Sequence, residues 1–169
     1  MAQEMAVRGQ AVSRPLYEVL RAHFPQKGKV TTVQLYESIG HSEYGPDARM
    51  QNTCAVRLSV ALAGAGITIR PGNITVLAGS RKGWRLESGQ ARLSNYLLRA
   101  WGEPERYASG PEARKAIGAR RGVVSFYHLY GTTDQQGHID MIAPDGWGEA
   151  ACVDDCYWQS AEVWFWPLK

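Results

Sequence analysis

The 169-residue sequence predicts an α+β fold, with helices packed on an antiparallel β-sheet. Three observations carry that expectation. Apolar residues recur at helical spacing through the first two thirds of the chain. After Gly122 the period switches to two, in runs rich in β-branched and aromatic residues. Gly and Pro stand at the ends of the runs.

In order, "RPLYEVLRAHF" places Leu16, Val19, Leu20 and Phe24 at helical spacing, with Pro15 suited to a first turn and Pro25 as a stop. "TTVQLYESIG" predicts a short helix capped by Thr31 or Thr32 and ended by Gly40. "HSEYGPDARM" reads as a loop. In "QNTCAVRLSVALAGAG", Asn52 or Thr53 can cap a helix whose Cys54, Leu58, Ala61, Leu62 and Ala65 share one face, with Gly64 and Gly66 at its end. "SGQARLSNYLLRAWGEP" predicts an amphipathic helix capped by Ser88, with Leu93, Tyr96, Leu97 and Ala100 inward. "GPEARKAIGARRG" is a short polar helix. "VVSFYHLYG" and "GHIDMIAP" alternate as strands joined by the polar turn "TTDQQ", "PDGWGE" is a turn, and "AEVWFWPLK" is a terminal strand with Pro167 near its end. The whole chain, 1–169, reads as one domain, with residues 1–13 flexible.

Composition narrows the function classes. The chain is 44% hydrophobic and 21% charged, an ordinary globular balance. A net charge of +3 is mildly basic, but Arg81-Lys82 and Arg120-Arg121 are isolated pairs, so no nucleic acid is expected as a partner. The longest apolar stretch, Leu58–Ile69, is short and interrupted, so no membrane span is expected. The start lacks the apolar core of a secretory signal. Three cysteines suggest one pair and one free thiol.

Cys54 is the candidate nucleophile. A free thiol with pKa near ~8.5 is mostly protonated at neutral pH, and the unpaired N–H groups of a first helical turn favour the thiolate. The Cys54 amide points where an oxyanion forms after attack on a carbonyl. Asn52 could add a donor and Arg57 positive potential. The base must be one of His23, His41, His128 and His138. His138 is preferred because it follows Gly137 at a strand start, where a side chain can stand at a cleft edge. A carboxylate should orient the imidazole. Asp140 shares a strand face with His138 at about 7 Å between backbones, too far unless the side chains lean together. Asp154 or Asp155, in "CVDDC", could come from an adjacent segment. Cys152 and Cys156 could form a disulfide that orients the Asp between them, a zinc site with His138, a redox pair or two reduced thiols.

The ordered set of "QNTC", Arg three residues after the Cys, "GHIDMI", "CVDDC" and the closing "VWFWPL" resembles the fourth family of type VI secretion amidase effectors, from about Gln51 to the C-terminus. The resemblance implies a papain-like, NlpC-like fold without cofactor or metal. Cys54 corresponds to the family's nucleophile, His138 to its base and Asp154 to its third catalytic residue. Cys152 and Cys156 correspond to a disulfide pair. It further implies cleavage between D-glutamate and meso-diaminopimelate in the peptidoglycan stem peptide, and inhibition by a cognate immunity protein. The protein is then made in the cytoplasm, exported by the type VI machinery and active in the periplasm of a target bacterium. The turn at 144–151, with "DGWGEAA", is longer than the family pattern, and Asp155 adds a second carboxylate beside Asp154. Two rival readings remain. One is a cysteine acyltransferase or protease on the same triad. The other is a non-catalytic wall-binding domain using Trp147, Trp158, Trp164 and Trp166 as a sugar platform.

Overall fold

The computed structural model describes residues 12–129 and 136–169. The expectations for residues 1–11 and for most of the turn "TTDQQ" fall outside the described residues.

The described elements are α1 (Tyr17–Ala22), α2 (Thr32–Ser38), α3 (Cys54–Gly64), β1 (Ile74–Thr75), β2 (Arg85–Leu86), α4 (Gln90–Trp101), β3 (Glu105–Tyr107), α5 (Gly110–Ile117), β4 (Gly122–Leu129), β5 (His138–Pro144), β6 (Ala150–Cys152) and β7 (Ser160–Pro167). Two 3₁₀ turns, Ser42–Tyr44 and Ala48–Met50, occupy the stretch read as loop. β1 and β2 form a small antiparallel pair, and the main sheet has the order β3-β7-β4-β5-β6. Every pairing in it is antiparallel, as the helices-then-sheet pattern predicts.

Strand alternation sorts the sheet into two faces. Val123, Ile139, Met141, Trp164 and Trp166 join a core with α3, α4 and Leu20 of α1. Val124, Phe126, Ile142, Val163 and Phe165 join a second core with Ala113 and Ile117 of α5. A third cluster, with Leu35, Tyr36, Val56, Ala63, Ile74 and Leu86, packs α2 and the β1–β2 pair onto the outer side of α3. So α3 is enclosed on more than the one side its apolar spacing suggested, and even Arg57 and Ser59 are buried. Its run of Ala, Ser and Gly makes this packing feasible, because small side chains let neighbouring backbones approach closely.

The structure revises three local expectations. In α1 the buried residues are Tyr17, Leu20 and Phe24, while Leu16 and Val19 are 57% and 42% exposed. The helix phase is fixed by docking: Leu16 is the N-cap, and the Tyr17 N–H donates to the Lys169 carbonyl at 2.8 Å. The α4 N-cap is Gly89, and the Ser88 hydroxyl instead accepts from Asn73 at 2.7 Å. Strands β1, β2, β3 and β6 were not anticipated. At two or three residues each they are too short to show a period. Thr31 does cap α2, in a reciprocal capping box with Gln34. Gly110 is needed where α5 begins, since a Cβ there would lie 1.6 Å from the Trp158 carbonyl oxygen.

Candidate active site

Cys54 opens α3, and Thr53 is its N-cap. The Thr53 side chain does not cap the helix; its Oγ1 accepts from Arg57 Nε at 2.8 Å. The amides of Cys54, Ala55 and Val56 therefore lack intrahelical acceptors and carry the positive end of the helix dipole. Cys54 is 3% exposed and packs in the same core as Ile139 and Met141 of β5.

His138, the first residue of β5, lies close enough to the Cys54 side chain for the thiol to raise the imidazole pKa. Its Nε2 donates to Asp140 Oδ2 at 2.9 Å. The two side chains do lean together along one strand face, closing the gap that backbone spacing had made doubtful. Asp140 is fully buried. Its Oδ1 accepts the Met141 N–H at 2.8 Å, and its Oδ2 also accepts the N–H groups of Asp154 and Asp155 at 3.1 and 3.0 Å. Burial by itself lowers the His138 pKa, but hydrogen bonds and charges from Asp140 and Cys54 outweigh it and raise it to about 9. Tyr157 lays its ring edge-on to the imidazole at 4.8 Å, and Phe126 stacks against it at 6.3 Å. Behind the site, a Cβ on Gly137 would meet Gln90 Oε1 at 1.9 Å, so glycine lets α4 approach the chain just before His138.

Asp154 does other work. Its Oδ1 accepts the Lys27 N–H at 2.8 Å, and its side chain makes no hydrogen bond to His138. Burial raises its pKa, with the Lys27 amide and the charges of Arg57 and Lys27 pulling the other way. The carboxylate bonded to the imidazole is Asp140, and two backbone amides of the 152–156 loop, rather than the Asp154 side chain, reach toward it. Asp155 is exposed and stands 4.0 Å from Lys27 Nζ.

Cys152 and Cys156 form a disulfide with Cα atoms 5.2 Å apart. That removes them as zinc ligands, and no group of three or more metal-binding side chains occurs among the described residues. Arg57 is 1% exposed, and its Nη1 donates to the carbonyls of Pro25 and Val30 at 2.6 and 2.8 Å. It braces the 25–30 loop and does not turn toward Cys54. Burial lowers its pKa, while Asp154 and Tyr36 raise it. Asn52 is exposed beside the helix start and makes no hydrogen bond among the described residues. Of the other histidines, His41 bonds the Thr75 carbonyl and Glu43, His128 is exposed at φ 54°, and His23 caps the C-terminus of α1.

Sequence reasoning missed Tyr157, Phe126 and the paired amides of residues 154 and 155. The visible signal was the Cys-x3-Cys spacing, which forces a tight turn next to β5. Nothing in the pattern said which atoms of that turn face inward.

A family model described as type VI secretion system amidase effector protein 4 (Tae4) matches residues 50–166. The chain belongs to that family. As an amidase effector of the type VI secretion system, it shares its fold with solved relatives. The Tae4 effector from Enterobacter cloacae superposes with a TM-score of 0.74 at 22% identity, over 95% of this chain and 100% of that one. The Tae4–Tai4 effector–immunity complex from the same organism gives 0.71 at 21%, over 93% and 100%. The Tae4–Tai4 complex from Salmonella Typhimurium gives 0.71 at 18%, over 93% and 100%. The papain-like, NlpC-like α+β architecture is thus the one observed. Among curated proteins, none matches the chain in sequence.

Proposed function

We propose that this effector is an antibacterial cysteine amidase that hydrolyses the γ-D-glutamyl–meso-diaminopimelate bond of peptidoglycan stem peptides. The observation that carries the chemistry is the continuous line Cys54–His138–Asp140, starting at an open helix N-terminus. His138 takes up the Cys54 proton as the thiolate forms, and hydrogen bonds and charges from Asp140 and Cys54 raise the imidazole pKa to about 9. The thiolate attacks the scissile carbonyl. The free amides of the first α3 turn receive the oxyanion, and Asn52, which has no bond to break first, can swing in as a further donor. His138 then gives its proton to the departing amine, and water, deprotonated by the same imidazole, hydrolyses the thioester. Asp140 fixes the ring and stabilises its charge.

The small exposed area of Cys54 and His138 favours a thin, extended peptide over a folded protein chain. Family membership supports export by the type VI machinery, action in the target periplasm and inhibition by a cognate immunity protein. The Tae4–Tai4 complexes of the relatives support the last of these. The test is muropeptide analysis by mass spectrometry after incubation of purified sacculi with wild type and Cys54→Ala. New diaminopimelate amino termini with wild type alone are expected. New cross-links would instead indicate acyl transfer, and digestion by Cys54→Ala would overturn the mechanism.

A further inference from the structure

The turn after β5 carries a feature that hydrolysis at Cys54 does not use. Trp147 is 92% exposed, yet the turn beneath it is tightly bonded. The Asp145 N–H donates to the Glu149 carbonyl at 2.8 Å, and the Gly148 N–H to the Asp145 carbonyl at 3.0 Å. Asp145 Oδ1 also accepts the N–H groups of Trp147 and Glu149 at 2.8 and 3.0 Å. Gly148 supplies the positive φ of 77° that closes the turn. An indole presented to water on a rigid support is preorganised for a contact outside the chain.

Beside the turn lies a groove of about 470 Å³, lined by Pro111, Arg114, Lys115, Glu149 and Trp158 among others. Arg114 pairs with Glu149 at 3.2 Å and sits 5.9 Å above the Trp158 ring. Beneath the groove, Trp158 meets the buried Phe126 edge-on at 5.4 Å, and Phe126 stacks on His138. From His138 to Pro144 the strand covers about 20 Å, at about 3.3 Å per residue, beyond the immediate surroundings of a scissile bond. The lining combines aromatic faces with hydrogen-bonding charged edges. Saccharides have the matching character, with apolar C–H faces and a rim of hydroxyl and amide groups.

We infer that the Asp145–Glu149 turn and this groove form a second binding site, for the glycan strand to which the stem peptide is attached. Trp147 stacks on a sugar face, while Arg114, Lys115 and Glu149 bond its edges. The inference rests on the peptidoglycan reading above, and its test separates the two. Catalytically dead Cys54→Ala protein is incubated with glycan strands stripped of peptide, and co-sedimentation is measured for Trp147 and for Trp147→Ala and Trp147→Tyr in that background. Binding by the parent, a loss of about tenfold with Ala and retention with Tyr are expected. In the active protein, Trp147→Ala should slow digestion of intact sacculi by a similar factor and change cleavage of a free soluble stem peptide less than twofold. No binding to bare glycan, or an equal effect on both substrates, would overturn the site. So would lost affinity for the immunity protein with sacculus binding unchanged. If the wild type cuts neither substrate, the amidase reading fails, while the co-sedimentation result still decides the glycan site.

Discussion

The strand His138–Asp140 and the disulfide loop Cys152–Cys156 bring acidic residues to the same end of the molecule, and they use them in opposite ways. In the strand, the Asp140 side chain points at the chemistry, and its carboxylate holds the imidazole. In the loop, the Asp154 side chain points away, to Lys27, while the backbone points at the chemistry. A carboxylate that accepts three N–H groups and the imidazole is fixed in position against His138. The loop is thus a support for the strand's carboxylate, and its aspartates serve a second purpose, fastening the 25–30 loop. Gln26 adds to that fastening by donating to the Val153 carbonyl at 3.1 Å.

The sharpest way to break this division is to exchange the two carboxylates for amides. Asp140→Asn should lower kcat on a stem-peptide substrate by about 10³–10⁴-fold. The same change removes a cause of the raised His138 pKa, so the alkaline limb of kcat/KM, expected near pH 9, should move down. A larger loss of kcat with Asp154→Asn than with Asp140→Asn would reverse the assignment. Stability follows the same titration. His138 binds its proton more tightly when folded, so its contribution is complete below about pH 6.5 and is lost as pH rises through about 9. Denaturation across that window should show the decline in wild type and an earlier, smaller one in Asp140→Asn.

Arg57 tests the brace behind the loop. Arg57→Met leaves the Pro25 and Val30 carbonyls without their buried donor and should cost about 3 kcal/mol, read as a lower midpoint in urea. If activity fell while stability held, Arg57 would belong to the chemistry after all. Opening the disulfide with Cys152→Ser and Cys156→Ser should cost about 2 kcal/mol, in keeping with a short closed loop. Activity should fall by a further factor of about ten at a temperature where the protein stays folded, because the amides at 154 and 155 lose their aim. The smallest effect belongs to Asp154→Asn, about 1 kcal/mol from one weakened bond to Lys27, with kcat within about threefold.

The helix that opens at Cys54 and the strand that opens at His138 were legible because each is a long element with a clear period and a marked boundary. The order of helices before sheet was legible for the same reason. The carboxylate partner of the imidazole was harder. Asp140 lies two residues from His138, where backbone spacing argues against contact, and only side-chain torsions bring the pair to 2.9 Å. Arg57 was misread for a related reason. One turn after Cys54 it has the spacing of a site residue, but enclosure of α3 by α2 and the β1–β2 pair turns its guanidinium toward the 25–30 loop. Sequence period reports which face is apolar; it does not report how many neighbours will crowd a helix built from small residues.

The bracing of the 25–30 loop also has a kinetic side. The contacts that tie this end of the molecule together join segments far apart along the chain: Arg57 to Pro25 spans 32 residues, and Lys27 to Asp154 spans 127. Closing such long loops is entropically unfavourable until the segments between them have condensed, so these bonds belong to the late part of folding. Catalytic competence is then the last property the chain acquires. Recovery of activity during refolding should lag behind recovery of helical signal, and a chain halted midway should have most of its secondary structure and no amidase activity.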